Sequence, residues 1–434
     1  MANQFYLWQK ILSRFRLWKS ENSISLFKKN TQSEEKLKLK IKELLNFLDR
    51  ENLYPEIKIV ESNEPETIVN GKKVLLFCSL NYLGLANHPK VQRAAIEAIQ
   101  KCGLGSGGAR LVSGNYELHQ ALERKIAELK KEEAALIFQS GYVTNIGVIP
   151  ALLNLPKIGP FSFFKEKGAI FSDELNHMSV IDGIKLTKAE VVIYKHCDTA
   201  DLEKKLKKYQ DWPKLIITDS VFSMDGDIAP LPQIVELAKK YQAMTMIDEA
   251  HATGILGGNG GGATDYFHLQ GEIDVVMGTL SKAIGCLGGY IAGSKDLIKY
   301  LMVAARPSMF SVAIPPSIAA AAIAAIEEIQ LNSELRKKLW ENVEYLRGNL
   351  QKLRFDTLNS QTPIIPILIG EEKKAIEFAE LLFKREIYAP CIRWPAVPKG
   401  KARIRFIVMA PHTKEQINKL LNVCQEIGRL LKII

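Results

Sequence analysis

Met244-Thr-Met-Ile-Asp-Glu-Ala-His251 and Gly278-Thr-Leu-Ser-Lys-Ala-Ile-Gly285 are the stretches whose reading decides the fold. The first is an apolar, strand-like run that closes on an acid, Asp248, with His251 three residues on. The second places Lys282 beside Ser281 in a run of small residues, which lets backbone and amine approach a flat ligand closely. Pyridoxal phosphate needs such a pair. A lysine holds its aldehyde, and a carboxylate keeps its ring nitrogen protonated so that the ring can accept carbanion electrons. Asp248 and Lys282 are expected to fill those two roles, and the surrounding segments decide whether the pair means anything.

Outward from these stretches, His88 to Pro316 alternates helical segments with short strand-like runs: 134–138, 169–172, 191–194, 214–219, 244–248, 275–278 and 289–292. That alternation predicts an α/β fold, a mostly parallel sheet between helices, with ligands at the carboxyl ends of the strands. Asp219 to Ser223, Asp248 to His251 and Thr279 to Lys282 all follow such runs. Upstream, Lys36 to Arg50 reads as a helix and Ile68 to Phe77 as a hairpin turning at Asn70-Gly71. Downstream, Pro315-Pro316 opens an alanine-rich helix expected to run to about Arg354. It leads into a smaller C-terminal α+β domain with strands at 363–369 and 401–409.

Gln139-Ser-Gly-Tyr-Val-Thr-Asn145 follows a strand and opens a helix, so the amides of Gly141 and Tyr142 could hold a phosphate, as any helix start can. Thr279 and Ser281 offer hydroxyls to the same group, and Ser311 could contribute across a dimer interface. Asp173-Glu-Leu-Asn-His-Met-Ser179 places His177 just after a strand. A lone histidine is more often structural, but here an imidazole is wanted to stack on a flat cationic ring. His251 and Ser223, the latter in Phe222-Ser-Met-Asp-Gly-Asp227, could bond the cofactor's phenolic oxygen. Arg403 and Arg405 share one face if 401–409 is a strand; one could clamp a carboxylate, or both could be solvated. Asp248-Glu-Ala-His251 also spells a helicase box. That reading fails because no G-x-x-x-x-G-K-[ST] loop accompanies it, so no nucleic acid is expected.

At 434 residues, 47% hydrophobic and 24% charged, the chain can bury a large core and form two or three domains. Its apolar stretch from Ser311 to Ile326 is broken by two prolines and is too short to cross a membrane. The six cysteines are scattered, without metal-ligand spacing, so neither a disulfide framework nor a metal site is expected, and a cytoplasmic location is the default. Charge is uneven. Of the net +10, the first 50 residues carry +6, from eleven Lys or Arg against five acids. Phe5, Trp8, Leu12 and Phe15 recur there at helical spacing among Lys10, Arg14, Arg16 and Lys19, a basic amphipathic arm. It would pack on the body or a partner subunit, or touch an anionic membrane surface or an acidic carrier protein.

Asn81-Tyr-Leu-Gly84, Gly105-Ser-Gly-Gly-Ala-Arg-Leu-Val-Ser-Gly114, Asp173 to Ser179, Phe222 to Asp227, Asp248 to His251, Thr279 to Lys282 and Ala402 to Arg405 occur in one order. In that order they resemble the α-oxoamine synthase family of fold-type I pyridoxal-phosphate enzymes, over roughly residues 50 to 430. The resemblance implies that Lys282 holds the cofactor aldehyde, Asp248 its ring nitrogen, His177 its face, and His251 and Ser223 its phenolic oxygen. Gly141, Tyr142 and Thr279 would hold phosphate, Arg405 the amino-acid carboxylate, and Asn81 and Arg393 would lie against substrate. The implied reaction joins a small amino acid to an acyl-CoA or acyl-carrier-protein thioester with loss of CO2, in a homodimer whose active site lies at the subunit interface. The division expected is an arm over 1–50, a segment over 51–78 packing with the small domain, a cofactor-binding domain over 79–315 and a small domain over 316–434.

Within the family, Gly108 to Gly114 and Ile392-Arg-Trp-Pro-Ala-Val-Pro398 look most like the 8-amino-7-oxononanoate synthase branch. Arg306 to Ser311, Asp173 to His177 and Met409 to Thr413 look as much like the serine palmitoyltransferase branch. Glycine C-acetyl transfer, transamination on the same fold and a non-catalytic subunit are the further readings; Lys282 speaks against the last. Leu80 stands where many members carry asparagine, which leaves the amino acid open. Pro156 to Lys167, with Phe161, Phe163 and Phe164, looks like an insertion. It is either a packed surface loop or a contact for an acyl chain, carrier or membrane.

Overall fold

A computed structural model describes residues 32–51, 53–54, 56–154 and 168–434. The arm over Phe5 to Lys19 and the insertion Pro156 to Lys167 lie outside the described residues. The first described element is the helix Gln32–Arg50. Next comes the hairpin of β1 (Glu66–Val69) and β2 (Lys72–Leu76). Val69 pairs with Lys72 across a two-residue turn in which Asn70 (φ 49°) and Gly71 (φ 76°) are both left-handed. Asparagine and glycine bear that conformation at least cost, which is why the turn was readable.

The body holds β3 (Ala134–Phe138), β4 (Ala169–Asp173), β5 (Glu190–Tyr194), β6 (Lys214–Asp219), β7 (Met244–Asp248), β8 (Val275–Thr279) and β9 (Gly289–Gly293). They form one sheet in the order β3-β9-β8-β7-β6-β4-β5, in which β9 alone runs antiparallel to its neighbours. Both faces are buried except along the edge strand β5, where Val191 and Ile193 are exposed. Alternate residues supply the two apolar layers: Phe171, Ile216, Ile247 and Val276 on one side, Ile170, Ile217, Met246 and Met277 on the other. Fully covered strands of this kind read as largely apolar runs, and the acids of β4, β6 and β7 stand at their carboxyl ends.

The alanine-rich segment is two helices, Pro316–Leu331 and Ser333–Lys352, rather than one. Asn332 breaks it, with a non-helical backbone at φ −114° and ψ 82°. Residues that bond their own backbone favour helix ends, and helical periodicity continuing on both sides hid the joint. The C-terminal sheet has the order β10-β13-β12, from β10 (Ile364–Gly370), β12 (Cys391–Ile392) and β13 (Ala402–Ile407). The two-residue β11 (Ile387–Tyr388) pairs instead with β2, tying the N-terminal hairpin to this region. Among the described residues no helix is long and apolar enough to cross a membrane.

Candidate active site

The parallel register of the central strands assembles the site. Asp219 and Asp248 are paired neighbours at the ends of β6 and β7, and Asp248 pairs with Met277, two residues before Thr279 at the end of β8. A cavity of about 250 Å³ opens there. Its lining includes Gly141, Tyr142, His177, Asp248, His251, Thr279 and Lys282 from the residues singled out in the sequence, together with Ser140, Ser179, Asp219, Val221, Ala250, Met277 and Ser281. Residues more than 140 positions apart in the chain thus meet at one edge of the sheet.

At one end, Asp248 Oδ1 accepts the Ala250 N–H at 2.9 Å and Oδ2 accepts the Asn145 side-chain amide at 2.9 Å. Both oxygens of this buried carboxylate thus meet a donor. Burial, and then the charge of Asp248, hold the neighbouring Asp219 carboxyl well above the usual range. At the other end, Ser140 caps the helix Gly141–Leu153 by accepting the Val143 N–H at 3.2 Å, and the first turn carries no acid. The amides of Gly141 and Tyr142 are the unpaired first donors of that helix. A Cβ on Gly141 would lie 3.1 Å from Met277 Cε and 3.2 Å from Thr279 Cβ, so glycine is what lets helix and strand close on each other. Thr279 Oγ1 donates to the Gly288 carbonyl at 2.8 Å and lies 2.8 Å from Ser281 Oγ.

Between these ends, burial pulls the Lys282 amine down to about 8, although Asp248 and Asp219 pull the other way. Burial also lowers His177, and holds His251 well below its usual value with the help of Lys282 and Arg405. Both imidazoles are neutral. His251 Nδ1 meets the buried Tyr82 hydroxyl at 2.7 Å, and His177 Nδ1 accepts the Ser179 N–H at 3.2 Å. An anion-binding helix start, a neutral ring on one side, a lowered lysine amine and a carboxylate at the far end suit a flat, phosphate-bearing pyridine aldehyde. The residues present fit pyridoxal phosphate.

Ser223, Ser311, Asn81, Arg393 and Arg405 are not among the cavity's lining. Ser223 is buried close by, and its carbonyl accepts Arg405 Nη1 at 2.8 Å. Arg405 has no carboxylate partner among the described residues. Arg403, two residues earlier on the same face of β13, is ion-paired to Asp225 and also donates to the Met224 carbonyl at 3.2 Å. Asn81 uses its carbonyl oxygen to accept the Ala86 N–H at 3.1 Å. Arg393 follows β12, and its backbone carbonyl accepts the Ala396 N–H at 2.8 Å. Ser311 follows the short helix Arg306–Phe310, beside the bridge between Ala109 and Val312.

Two polar features went unread in the sequence. Asn145 and Ser179 are buried between the helices Gly141–Leu153 and Met178–Lys185, and a fully buried amide in an otherwise apolar helix was the available signal. His196 is the second. Its Nδ1 bonds Asp173 at 3.1 Å and its Nε2 bonds Asp227 at 2.7 Å, joining the His177 segment to the Ser223 segment. Asp173, His196 and Cys197 are close enough to hold an ion, but both ring nitrogens are occupied by carboxylates, which makes the group a charged clamp.

Comparison with known proteins agrees with this geometry. The model of the aminotransferase class I and II family matches residues 72–423. The chain is 50% identical over 398 residues to 8-amino-7-oxononanoate synthase of Thermoanaerobacter pseudethanolicus, spanning 91% of this chain and 98% of that one. It is 46% identical over 396 residues to 8-amino-7-oxononanoate synthase 1 of Bacillus subtilis, spanning 91% and 98%. Among solved structures, serine palmitoyltransferase of Sphingomonas wittichii superposes with a TM-score of 0.84 at 30% identity, covering 93% of this chain and 100% of that one. 8-Amino-7-oxononanoate synthase of Francisella tularensis gives 0.69 at 26% identity, covering 83% and 99%. The S. paucimobilis serine palmitoyltransferase, with a TM-score of 0.84 at 31% identity over 93% and 100% of the two chains, carries a bound PLP-myriocin adduct. The chain belongs to the class I and II aminotransferase family and, within it, to the α-oxoamine synthases.

Proposed function

We propose that the protein is a pyridoxal-phosphate enzyme that condenses L-alanine with a pimeloyl thioester, a pair whose joining with loss of CO2 gives the 8-amino-7-oxononanoate of its relatives' name. The observation that carries the reading is that Lys282 and Asp248 line one cavity at the carboxyl ends of adjacent strands, with His177 and the helix start at Gly141. When bound, the cofactor supplies an electron sink for the carbanion formed at the amino acid's Cα. Lys282, its amine lowered to about 8, takes the Cα proton as general base. With the cofactor bound, Asp248 would keep the ring nitrogen protonated, His177 would cover the ring, and His251 and Ser223 would serve the phenolic oxygen. The Gly141 and Tyr142 amides, with Thr279, would hold the phosphate. Arg405 takes the substrate carboxylate, Arg393 lies nearer the acyl donor, and Asn81 lies against substrate. In bond terms, Cα joins the thioester carbonyl carbon and the C–S bond breaks to free the thiol. The original carboxylate then leaves as CO2, and Cα is reprotonated.

The same reading takes residues 79–315 as the cofactor-binding unit and 316–434 as the small domain; the pairing of β2 with β11 supports joining 51–78 to the latter. A homodimer is supported by exposed apolar residues around Ser311, argued below, with Ser311 serving the phosphate of the second copy's site. Six free cysteines suit a reducing cytoplasm. Borohydride reduction of the reconstituted protein is expected to fix the cofactor to Lys282, read by peptide mass. In a separate sample of unreduced holo-protein, alanine with a pimeloyl thioester should release one CO2 per thiol. Label on another lysine, or thiol without CO2, would sink the reading. The structural likeness to serine palmitoyltransferases, at a TM-score of 0.84, favours serine and a long acyl thioester as the second pair to assay. A keto acid formed without CO2 would mean transamination.

A further inference from the structure

We propose that Asn145 and Ser179 are positioning residues that hold the proton of His177 on Nε2, by giving the hydrogen-bond chain that runs from Asp248 through Asn145 and Ser179 to His177 a single direction. The proposal deepens the reading above and rests on it for the use of His177.

The direction is set at Asp248, whose ionised carboxylate can only accept. Its Oδ2 takes one hydrogen of Asn145 Nδ2 at 2.9 Å, and the second hydrogen of that amide goes to Ser179 Oγ, also at 2.9 Å. Turning the amide over would face its oxygen to a carboxylate oxygen, so the orientation is fixed by its partners. Having accepted from Asn145, the Ser179 hydroxyl keeps one proton to give, and His177 Nδ1 lies 2.7 Å away. The same ring nitrogen also receives the Ser179 backbone N–H at 3.2 Å. A nitrogen facing two donors cannot carry a hydrogen of its own, and the ring proton must sit on Nε2.

Solvent has no part in the chain. Asn145 is 0% and Ser179 1% exposed, and the helices bearing them are in close contact: a Cβ on Gly183 would lie 2.8 Å from the Asn145 backbone carbonyl oxygen. Burial independently disfavours a second proton on the ring. The result is a neutral imidazole with a fixed donor edge on a ring that lines the cavity, suited to a bound carboxylate as well as to stacking. The Asn145 carbonyl oxygen is buried without a partner, which is understandable if the amide is kept for its two hydrogens.

Long-range proton-nitrogen NMR of the apo-protein labelled with ¹⁵N-histidine reads the tautomer without reference to turnover, with His177 assigned from the signal lost in His177→Asn. The wild-type spectrum is expected to show His177 with an unprotonated Nδ1 and a protonated Nε2. In N145D the new carboxylate cannot donate two protons. The Ser179 hydroxyl should turn towards it, leaving Nδ1 only the longer backbone N–H at 3.2 Å, and part of the His177 population should move its proton to Nδ1. If N145D does not fold, N145A removes both donors and is expected to populate the two tautomers together, while S179T should retain the wild-type pattern. A wild-type His177 protonated on Nδ1 overturns the proposal, and so does an unchanged tautomer in either Asn145 variant. Failure of borohydride to label Lys282 would instead overturn the function and leave the tautomer result standing.

Discussion

Arg403 and Arg405 are indistinguishable by spacing and differ in what each is left to do. Arg403 is 4% exposed, and its charge is met by Asp225 and by carbonyls. Arg405 is buried enough that its guanidinium is lowered from the usual range, yet it holds only a carbonyl, a sulfur contact and the neighbourhood of Tyr82 and Cys78. A cation kept in such a place is poised for an anion that arrives from outside. Arg405→Ala is therefore expected to raise the KM for the amino acid roughly 10- to 100-fold, the equivalent of about 1.5–3 kcal/mol for a charge-assisted hydrogen bond. Arg403→Ala should lower the melting temperature and leave that KM nearly unchanged. Equal KM effects would remove the assignment. Lys282 gives a pH prediction. Its amine must be neutral to add to an aldehyde, and burial brings it to about 8. Reconstitution of the apo-protein with pyridoxal phosphate should quicken as pH rises through about 8 and then level off; a rate still climbing above pH 10 would show an ordinary lysine. That Lys282 and Asp248 meet in one cavity was legible because cofactor chemistry asks for their residue types together. Asn145 was not, because its importance comes from two helices meeting, which no local pattern records.

At the level of elements, legibility followed local chemistry. The strand ends at Asp219 and Asp248 could be read because an acid is borne most easily where a covered strand leaves the sheet. The hairpin could be read because Asn70-Gly71 is the chemistry of its turn. The reversal of β9 had no local mark, since Gly289 to Gly293 is as apolar as the strands it runs against. Nor did the clamp at His196, which depends on three separate connections converging. Burial works against a charge on His196, but its hydrogen bonds to Asp173 and Asp227 outweigh that and push the imidazole up to about 12. An unfolded histidine titrates near 6.5, so the clamp contributes fully below about pH 6.5 and loses its contribution progressively as pH rises towards about 12. Thermal unfolding of the wild type should fall with pH between 7 and 10. His196→Gln should start about 3 kcal/mol less stable at neutral pH, taking two hydrogen bonds to charged groups, and should show a flatter decline. Parallel pH profiles for the two proteins would mean that His196 is not charged in the folded state.

At the scale of the whole molecule, the described chain leaves one edge of its site unfinished. Leu104, Val112, Phe310 and Val312 are 77%, 85%, 78% and 58% exposed. The loop carrying the first two is fastened to the segment carrying the others by the bridge between Ala109 and Val312 and by the Ala313 N–H to Gly108 at 3.1 Å. Gln139, two residues before the helix start that would hold phosphate, donates to the Val312 carbonyl at 2.8 Å, so this apolar edge adjoins the cavity. Large side chains gathered this way on a monomer are costly in water and mark a surface meant to be covered. A second copy of the chain covering it would bring Ser311 towards a cavity. Charge placed in the patch should therefore act on assembly and cofactor binding together. Val112→Glu is expected to shift the sedimenting species from dimer to monomer and to weaken pyridoxal-phosphate retention on dialysis, while the far-ultraviolet circular dichroism stays as in the wild type. A variant that remains dimeric and holds its cofactor would show that this edge is not the interface, and Ser311 would then have no route to the phosphate.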